Sequence, residues 1–388
     1  MKEFVALDIG FCYIKVMVAG MKGSRIVIKK TLMIPTPENT IEDGKILAVE
    51  TVAQSIKEQL SANKIKQKDT VITINGTSVI SREVIMPKAK EKELKNIINM
   101  QAEQYFPVSL ENYVVDFKVL EEVEMPDQKK QYKVLLVAIP SDMIDRYVDL
   151  VKACDLNPIR IDFYGNSIAK IVNHEIFTLR RKPKKQAKKK ANHQKNNLNS
   201  LATRLLEKET RQEEIEKPID TVAIIDMGGK TTTVSIISKG VLQFSRIILY
   251  GGSSITASIS ERLQIPYEEA EKQKEHISKV IATDKEALEK EEASQIDTAI
   301  KSIALILIDD IIKYFEFYHS RNGGNKIERV YMVGGSSNIY EIERYLGNAF
   351  NIPTLKLDYF QTTKFKDTNN KTDLKYYLGC LGAVMNNQ

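Results

Sequence analysis

A short apolar strand that ends in Asp-x-Gly occurs twice in this chain, and this repetition constrains the fold more than any other feature. The first copy is Asp8-Ile9-Gly10, after the apolar run Phe4–Leu7, and the second is Asp226-Met227-Gly228, after Thr221–Ile225. Each copy is followed by two further β-rich segments separated by turn residues, which predicts a three-stranded meander. Because the copies lie more than half the chain apart, the sequence predicts a duplicated domain with insertions.

Both Asp-x-Gly segments have the composition of a phosphate-binding hairpin. Glycine allows a tight turn and a close approach of the backbone to a phosphate, and the N–H groups of such a turn can point at phosphate oxygens. Asp8 and Asp226 are suited to hold Mg²⁺ through water, because Mg²⁺ gives up its water shell reluctantly. One Asp-x-Gly alone is a common turn. Two of them at corresponding places in two halves favour a shared ligand.

Two glycine pairs supply further candidate contacts. Gly334-Gly335 follows the apolar strand Val330–Val333 and precedes Ser336, an arrangement typical of an anion or nucleotide contact. Gly251-Gly252 opens a predicted helix, where a plain strand-to-helix turn is an equally good interpretation. Neither pair is a Walker motif, since no Gly-Lys-Ser/Thr follows.

Taken together, these segments resemble the phosphate 1, phosphate 2 and adenosine motifs of the actin, heat-shock-70 and sugar-kinase superfamily. The resemblance implies an α/β actin-like (ribonuclease-H-like, duplicated) two-domain fold with a small inserted α+β subdomain, and ATP with Mg²⁺ as cofactors. Residues matching these motifs or lying beside them, and so candidates to bind the nucleotide, are Asp8, Gly10, Lys15, Asp226, Gly228, Gly229, Lys230, Thr231, Thr232, Gly251, Gly252, Glu271, Lys274, Gly334, Gly335 and Ser336.

Within that superfamily, the segment from Pro87 to Phe117 resembles the insert of the type IV pilus assembly protein PilM family, in which a proline closes a helix before a Val-Asp-Tyr-like strand. The segments 244–256 and 267–274 resemble both this family and its relative FtsA. The resemblance implies a cytoplasmic ATP-binding scaffold at the inner face of the membrane. It implies that the insert binds the cytoplasmic tail of a PilN-like inner-membrane protein, with contacts to other pilus assembly proteins as a further expectation.

The alternative is an FtsA-like cell-division protein that polymerises at the membrane. Such chains usually continue into a linker and a membrane-binding helix, whereas this sequence stops at Gln388, soon after a predicted final helix, Leu374–Met385. That helix is expected to pack back on the fold through its small residues. Formation of a homo-oligomer remains open at this point.

The residues after the first Asp-x-Gly depart from the superfamily pattern. Small hydroxyl residues are usual there, but this chain has Phe11 and Cys12, which remove hydroxyl contacts and add bulk. Lys230 in the second hairpin is expected to compensate as a direct phosphate partner. For hydrolysis, Asp162 is the candidate catalytic residue, orienting water, with a role at the start of a helix as the alternative. We expect slow hydrolysis or none.

Four aromatic residues of the insert are candidates for contact with the partner tail, with burial in the core of the insert as the alternative for each: Tyr105, Phe106, Tyr113 and Phe117. The predicted organisation has an actin-like domain 1, an inserted subdomain, a basic low-complexity insertion and an actin-like domain 2. Their predicted bounds are residues 1–86 with 158–179, 87–157, 180–218 and 219–388.

The net charge of +6 comes from one segment. Nine Lys or Arg and no acidic residue lie between Arg180 and Lys195, so the rest of the chain is slightly acidic. Residues 180–199 are predicted to be disordered. For the basic run 180–195, three interpretations stay open: a solvated linker, contact with anionic lipid and non-specific contact with nucleic acid. No aromatic residue is interleaved for base stacking, so no specific nucleic-acid partner is expected. Three scattered cysteines predict neither disulfides nor a metal site.

Overall fold

The computed structural model describes residues 1–124, 130–177, 219–280, 290–367 and 372–385. The expectations for the basic insertion, residues 180–218, and for lipid contact through residues 180–195 fall outside the described residues. In the described part of the chain, none of the helices combines the length and the apolarity that crossing a bilayer requires.

The strands form four sheets, and the helices pack on or between them. The strands are β1 (Glu3–Ile9), β2 (Tyr13–Lys22), β3 (Arg25–Pro35), β4 (Ile41–Glu42), β5 (Lys45–Ile46), β6 (Asp69–Ile74), β7 (Ile80–Pro87), β8 (Tyr113–Glu124), β9 (Lys130–Pro140), β10 (Asn157–Phe163), β11 (Thr221–Met227), β12 (Thr232–Ser238), β13 (Val241–Ile248), β14 (Arg329–Val333), β15 (Thr354–Lys356) and β16 (Thr363–Phe365). The α-helices are α1 (Val49–Ala62), α2 (Glu91–Gln101), α3 (Ser141–Ala153), α4 (Tyr164–Val172), α5 (Gly252–Leu263), α6 (Tyr267–Val280), α7 (Lys290–Arg321), α8 (Ile342–Phe350) and α9 (Leu378–Val384).

The two large sheets repeat one topology. The first has the order β10-β6-β1-β2-β3-β16, and the second has the order β13-β12-β11-β14-β15. Each sheet begins with an antiparallel meander, β1–β3 or β11–β13. Parallel strands extend the sheet beyond the meander's first strand: β6 and then β10 beside β1, and β14 and then β15 beside β11. The duplication predicted from the repeated Asp-x-Gly is therefore confirmed. The added strand β16 comes from the second half of the chain and pairs with β3.

Both faces of each large sheet are buried, which explains why their strands read as nearly continuous apolar runs. In β1, Val5 and Leu7 pack under α1 and α3, whereas Ala6 faces a core shared with the second sheet. That shared core contains α4, α9 and residues such as Val222 and Ile224 of β11. The opposite face of the second sheet packs against α5, α7 and α8. The predicted final helix is split into a short 3₁₀ turn, Leu374–Tyr376, and α9.

The third sheet, with the order β7-β9-β8, carries α2 on one face and has its own small apolar core. It includes β7, which begins at residue 80 and so precedes the expected start of the insert at residue 87. Tyr105, Tyr113 and Phe117 are partly buried against this core, and Phe106 is within it, only 6% exposed. Burial in the subdomain core, the alternative for these four aromatic residues, therefore holds in full for Phe106 and in part for the other three.

Candidate functional site

The second hairpin is joined directly to the start of α5. The Gly228 carbonyl accepts a hydrogen bond from the Gly252 N–H at 3.0 Å, and the Gly229 carbonyl accepts one from the Ser253 N–H at 2.7 Å. A Cβ on Gly251 would lie 2.7 Å from the Gly229 oxygen and 2.8 Å from the Gly228 oxygen. Only glycine at position 251 leaves room for this approach, so the two predicted glycine segments form one continuous cradle.

Helix α6 contributes a charged pair to the same place. The Lys274 ammonium lies 2.8 Å from the Glu271 carboxylate and 3.1 Å from the Gly252 carbonyl oxygen, to which it donates a hydrogen bond. It also donates to the Thr256 hydroxyl at 2.8 Å, and that hydroxyl donates to Glu271. This network fixes the pair predicted on α6 against the first turn of α5.

The loop after β14 closes on the second hairpin from another side. Gly334 has φ = 83°, a left-handed conformation that favours glycine. A Cβ there would collide with the Asp226 carboxylate and lie 2.5 Å from the Met227 carbonyl oxygen. The Ser336 hydroxyl donates to the Gly228 carbonyl oxygen at 3.4 Å. Around Gly335, by contrast, an added Cβ would meet no atom within 4 Å, so this glycine borders open space.

The first hairpin places a partly buried cation near both aspartates. Gly10 closes the turn by donating its N–H to the Tyr13 carbonyl at 3.1 Å, and Lys15 lies opposite Asp8 in the β1–β2 register. The Lys15 ammonium is 3.4 Å from the Asp8 carboxylate. Burial alone would lower the pKa of Lys15, but the charges of Asp8 and Asp226 raise it above its ordinary value. Lys15 is therefore held as a cation between the two motifs.

Tyr164, at the start of α4, was missed by the sequence reasoning. Its hydroxyl donates a hydrogen bond to the Asp226 carboxylate. Burial, followed by the charges of Asp226 and Asp8, raises the pKa of the Tyr164 hydroxyl well above its usual range, so it remains a donor. Burial also raises the pKa of Asp226. The available signal was position: Tyr164 directly follows β10, at the edge where the parallel strands of the first sheet end.

The two hairpins touch each other through the residues that depart from the superfamily pattern. The Lys230 ammonium lies 4.6 Å from the centre of the Phe11 ring, a cation–π distance. Cys12 lies so close to Gly229 that a Cβ at position 229 would overlap its Sγ. Burial, and then the charge of Glu271, raises the pKa of the Cys12 thiol. The added bulk expected at positions 11 and 12 thus fills space between the hairpins.

Asp162, the candidate water-orienting residue, is engaged elsewhere. Its carboxylate is 2.5 Å from the Lys170 ammonium and accepts hydrogen bonds from Asn166 and Ser167 at 2.8 Å each. All three partners belong to α4. Lys170 also donates to the Met385 carbonyl at 3.2 Å, so the group ties β10 and α4 to the end of α9. The alternative role, at the start of a helix, is the one this geometry favours.

The remaining candidates lie at the base of the second hairpin. Thr231 closes the turn by accepting a hydrogen bond from the Gly228 N–H at 2.9 Å. Thr232 is buried, and its hydroxyl donates to the Tyr250 carbonyl at 2.8 Å. The Thr231 carbonyl therefore closes the turn, and the Thr232 side chain supports the hairpin from within the fold. Among the described residues, no group of three His, Cys, Asp or Glu is arranged to hold a metal ion.

The chain matches one known protein family over most of its length. The sequence model of the family described as type IV pilus assembly protein PilM matches residues 6–185 and 199–382. A solved structure of a PilM-PilN type IV pilus biogenesis complex is 18% identical, with a TM-score of 0.73, and the match covers 99% of this chain and 96% of that one. The ethanolamine utilization protein EutJ from Carboxydothermus hydrogenoformans is 13% identical, with a TM-score of 0.50, over 98% and 89% of the chains.

Among curated proteins, the cell division protein FtsA of Buchnera aphidicola subsp. Baizongia pistaciae is 27% identical over 184 residues, which cover 41% of this chain and 43% of that protein. FtsA of Bacillus subtilis is 43% identical over 56 residues, 14% and 13% of the two chains. The chain thus spans less than half the length of these curated relatives. The structural likenesses and the repeated topology establish the actin-like fold, and the family match covers most of the sequence. The chain belongs to the type IV pilus assembly protein PilM family.

Proposed function

We propose that this protein is an ATP-binding scaffold of type IV pilus assembly, which binds the cytoplasmic N-terminal tail of a PilN-like inner-membrane protein. The observation that carries the proposal is the convergence of three glycine loops and two lysines, Lys15 and Lys274, around Asp226 in a chain of the PilM family. Glycine-lined backbone and cations are the chemistry that phosphate groups require.

ATP would lie between the hairpins and the loop after β14. Lys15 is the partly buried cation suited to the phosphates, while Glu271 and Lys274 on α6 would face the ribose and base. The open space beside Gly335 supports a ligand at this edge, because a Cβ there would meet nothing within 4 Å. Lys230 is a further candidate phosphate partner, provided that it leaves the Phe11 ring.

Asp8 and Asp226 would hold Mg²⁺ through water rather than directly. Each carboxylate already has a partner, since Asp8 faces Lys15 and Asp226 accepts from Tyr164. When bound, the metal would supply charge neutralisation of the phosphates. Lys15 and Tyr164 keep the two carboxylates in place and reduce their repulsion when no metal is bound.

The partner tail would bind the inserted subdomain. A protein of the same fold is known in a PilM-PilN complex, and this supports a PilN-like partner here. Since the four aromatic residues of the insert are buried or partly buried in its core, we place the contact at β8, an edge strand of its sheet that exposes Val114 (47%) and Val119 (38%). An exposed strand edge can take up an extended peptide through backbone hydrogen bonds. Such a partner would hold the protein at the cytoplasmic face of the inner membrane.

A pull-down from cell lysate with and without Mg-ATP tests this function. We expect the wild-type protein to recover pilus inner-membrane proteins, and Val114→Asp to reduce that recovery at least tenfold. Val108→Asp, in a loop of the same insert, is the matched control that leaves recovery unchanged. Recovery of division proteins in place of pilus proteins would reject the proposal in favour of the FtsA-like alternative, for which the partial FtsA matches are the supporting observation.

A further inference from the structure

A cavity of about 420 Å³ lies between the inserted subdomain and the second large sheet, away from the glycine loops. Five consecutive residues of β7, Ser81–Ile85, line one side, and five consecutive residues of β13, Leu242–Arg246, line the other. Both β7 and β13 are edge strands of their sheets. Residues of β8 and β9 line it too, so the cavity is a slot that lies between the third sheet and β13 and follows strand segments about 17 Å long.

The charges in this slot do not cancel. Three arginines line it, Arg82, Arg246 and Arg321, and within the described chain none of them forms an ion pair. The Lys133 ammonium lies 3.1 Å from Glu83 and 3.9 Å from Glu121, the two acidic residues of the slot, and the charge of Arg321 also acts on Glu83. The slot therefore keeps an excess of positive charge.

Aromatic rings hold two of these arginines in place. The Arg246 guanidinium lies 4.9 Å from the centre of the Phe244 ring, and the Arg321 guanidinium lies 4.8 Å from the centre of the Phe317 ring. Burial, followed by repulsion from Arg82, lowers the pKa of Arg246. Guanidinium groups that are already stacked on rings lose less conformational freedom when they bind a carboxylate. A bound carboxylate would also offset the repulsion between the neighbouring arginines.

We propose that this slot binds an extended acidic segment of a partner protein, whose carboxylates pair with Arg82, Arg246 and Arg321. The length of the slot matches a strand of about five residues, and the strand edges offer backbone hydrogen-bonding groups to a peptide. Side chains of an extended peptide alternate, so acidic residues at every second position would face the arginines. This site is separate from the proposed ATP site and from the exposed Val114 and Val119 of β8, although Glu121 and Val123 at the other end of β8 line it.

Fluorescence anisotropy of a labelled peptide tests the inference on the full-length protein. The probe is fluorescein-labelled Glu-Val-Glu-Val-Glu-Val, and a Gln-Val repeat of the same length is the uncharged probe. The test variant is Arg82→Gln with Arg321→Gln. The control variant is Arg25→Gln with Arg344→Gln, which removes the same charge from exposed positions outside the slot. This matched control accounts for non-specific attraction to the basic residues 180–195.

We expect the acidic probe to bind the wild type and the control variant alike, and the slot variant at least tenfold more weakly, with little binding of the Gln-Val probe. Circular dichroism on both variants would verify that they are folded, and Arg246→Lys provides a conservative second variant with reduced binding. Equal binding by the slot and control variants would overturn the inference. So would an absence of binding by the wild type, or binding of free citrate by the wild type without binding of the peptide.

Discussion

Replacing Gly251 with alanine measures how much the candidate site depends on close contact between its glycine loops. The residue has φ = −157°, an extended backbone that alanine adopts freely, so the substitution tests space alone. The new Cβ would lie 2.7 Å from the Gly229 carbonyl oxygen, and 2.8 Å from both the Gly228 oxygen and the Thr231 nitrogen. All three are backbone atoms, which cannot rotate away as the end of a side chain could.

The start of α5 and the second hairpin would therefore have to separate by roughly 0.6 Å to reach ordinary contact distance, with a cost in unfolding free energy of about 1–3 kcal/mol. The same separation would lengthen the hydrogen bonds that join Gly252 and Ser253 to the hairpin. Because the cradle would be distorted, we expect Mg-ATP affinity to fall by about tenfold, which corresponds to about 1.4 kcal/mol.

Urea unfolding and calorimetric titration with Mg-ATP would measure the two effects. Gly335→Ala is the matched control for stability, since an added Cβ there meets no atom within 4 Å, and we expect its unfolding free energy to stay within about 0.5 kcal/mol of wild type. If Gly251→Ala were as stable as Gly335→Ala and bound Mg-ATP like the wild type, the argument from close approach would be refuted.

Three further predictions concern side chains in and around the fold. Lys230→Ala should weaken Mg-ATP binding about fivefold in calorimetry if this lysine is a phosphate partner, and unchanged affinity would remove that role. Tyr164→Phe removes the donor to the buried Asp226 carboxylate and should lower the unfolding free energy by about 1–3 kcal/mol in urea; no loss would show that this bond is not needed. Burial alone would raise the pKa of Glu175, but hydrogen bonds, first with His174 and then from Thr362, lower it below its ordinary value. Its contribution to stability is therefore present above pH 4.5 and lost as pH falls through the lowered pKa, so wild type should lose more stability than Glu175→Gln between pH 7 and pH 4; equal losses would contradict this.

The topology was predictable because the repeated Asp-x-Gly marks the same strand end in both halves. Asp8 and Asp226 each end the first strand of a meander, and the two sheets then follow the same order. Apolar runs identified the buried strands, since both faces of these sheets are covered. Local sequence carried this information because hairpins and their turns are formed by neighbouring residues.

Contacts between distant parts of the chain were not predictable in this way. Tyr164 reaches Asp226 only because α4 lies between the two sheets, and no spacing in the sequence indicates it. Likewise, β16 joins the first sheet although it comes from residues 363–365. Asp162 was considered from its position alone, whereas its ion pair with Lys170 depends on the turn of α4 that follows.

The aromatic residues of the insert illustrate a second limit. Phe106 follows a helix and precedes a proline, a pattern that fits either an exposed peptide contact or a subdomain core. Only the packing of α2 on β7, β8 and β9 distinguishes them, and it buries this ring. The slot between β7 and β13 was also beyond the sequence, since Arg82 and Arg246 come together only in the folded chain.

Titration of Mg-ATP into the wild-type protein and into Lys15→Met tests the central claim most directly. Lys15 is the partly buried cation held between Asp8 and Asp226, and methionine keeps much of its length without the charge. The account predicts one site per chain in the wild type, and affinity at least tenfold lower in Lys15→Met, with circular dichroism unchanged. Absence of Mg-ATP binding by the wild type, or equal affinity of the two proteins, would contradict it.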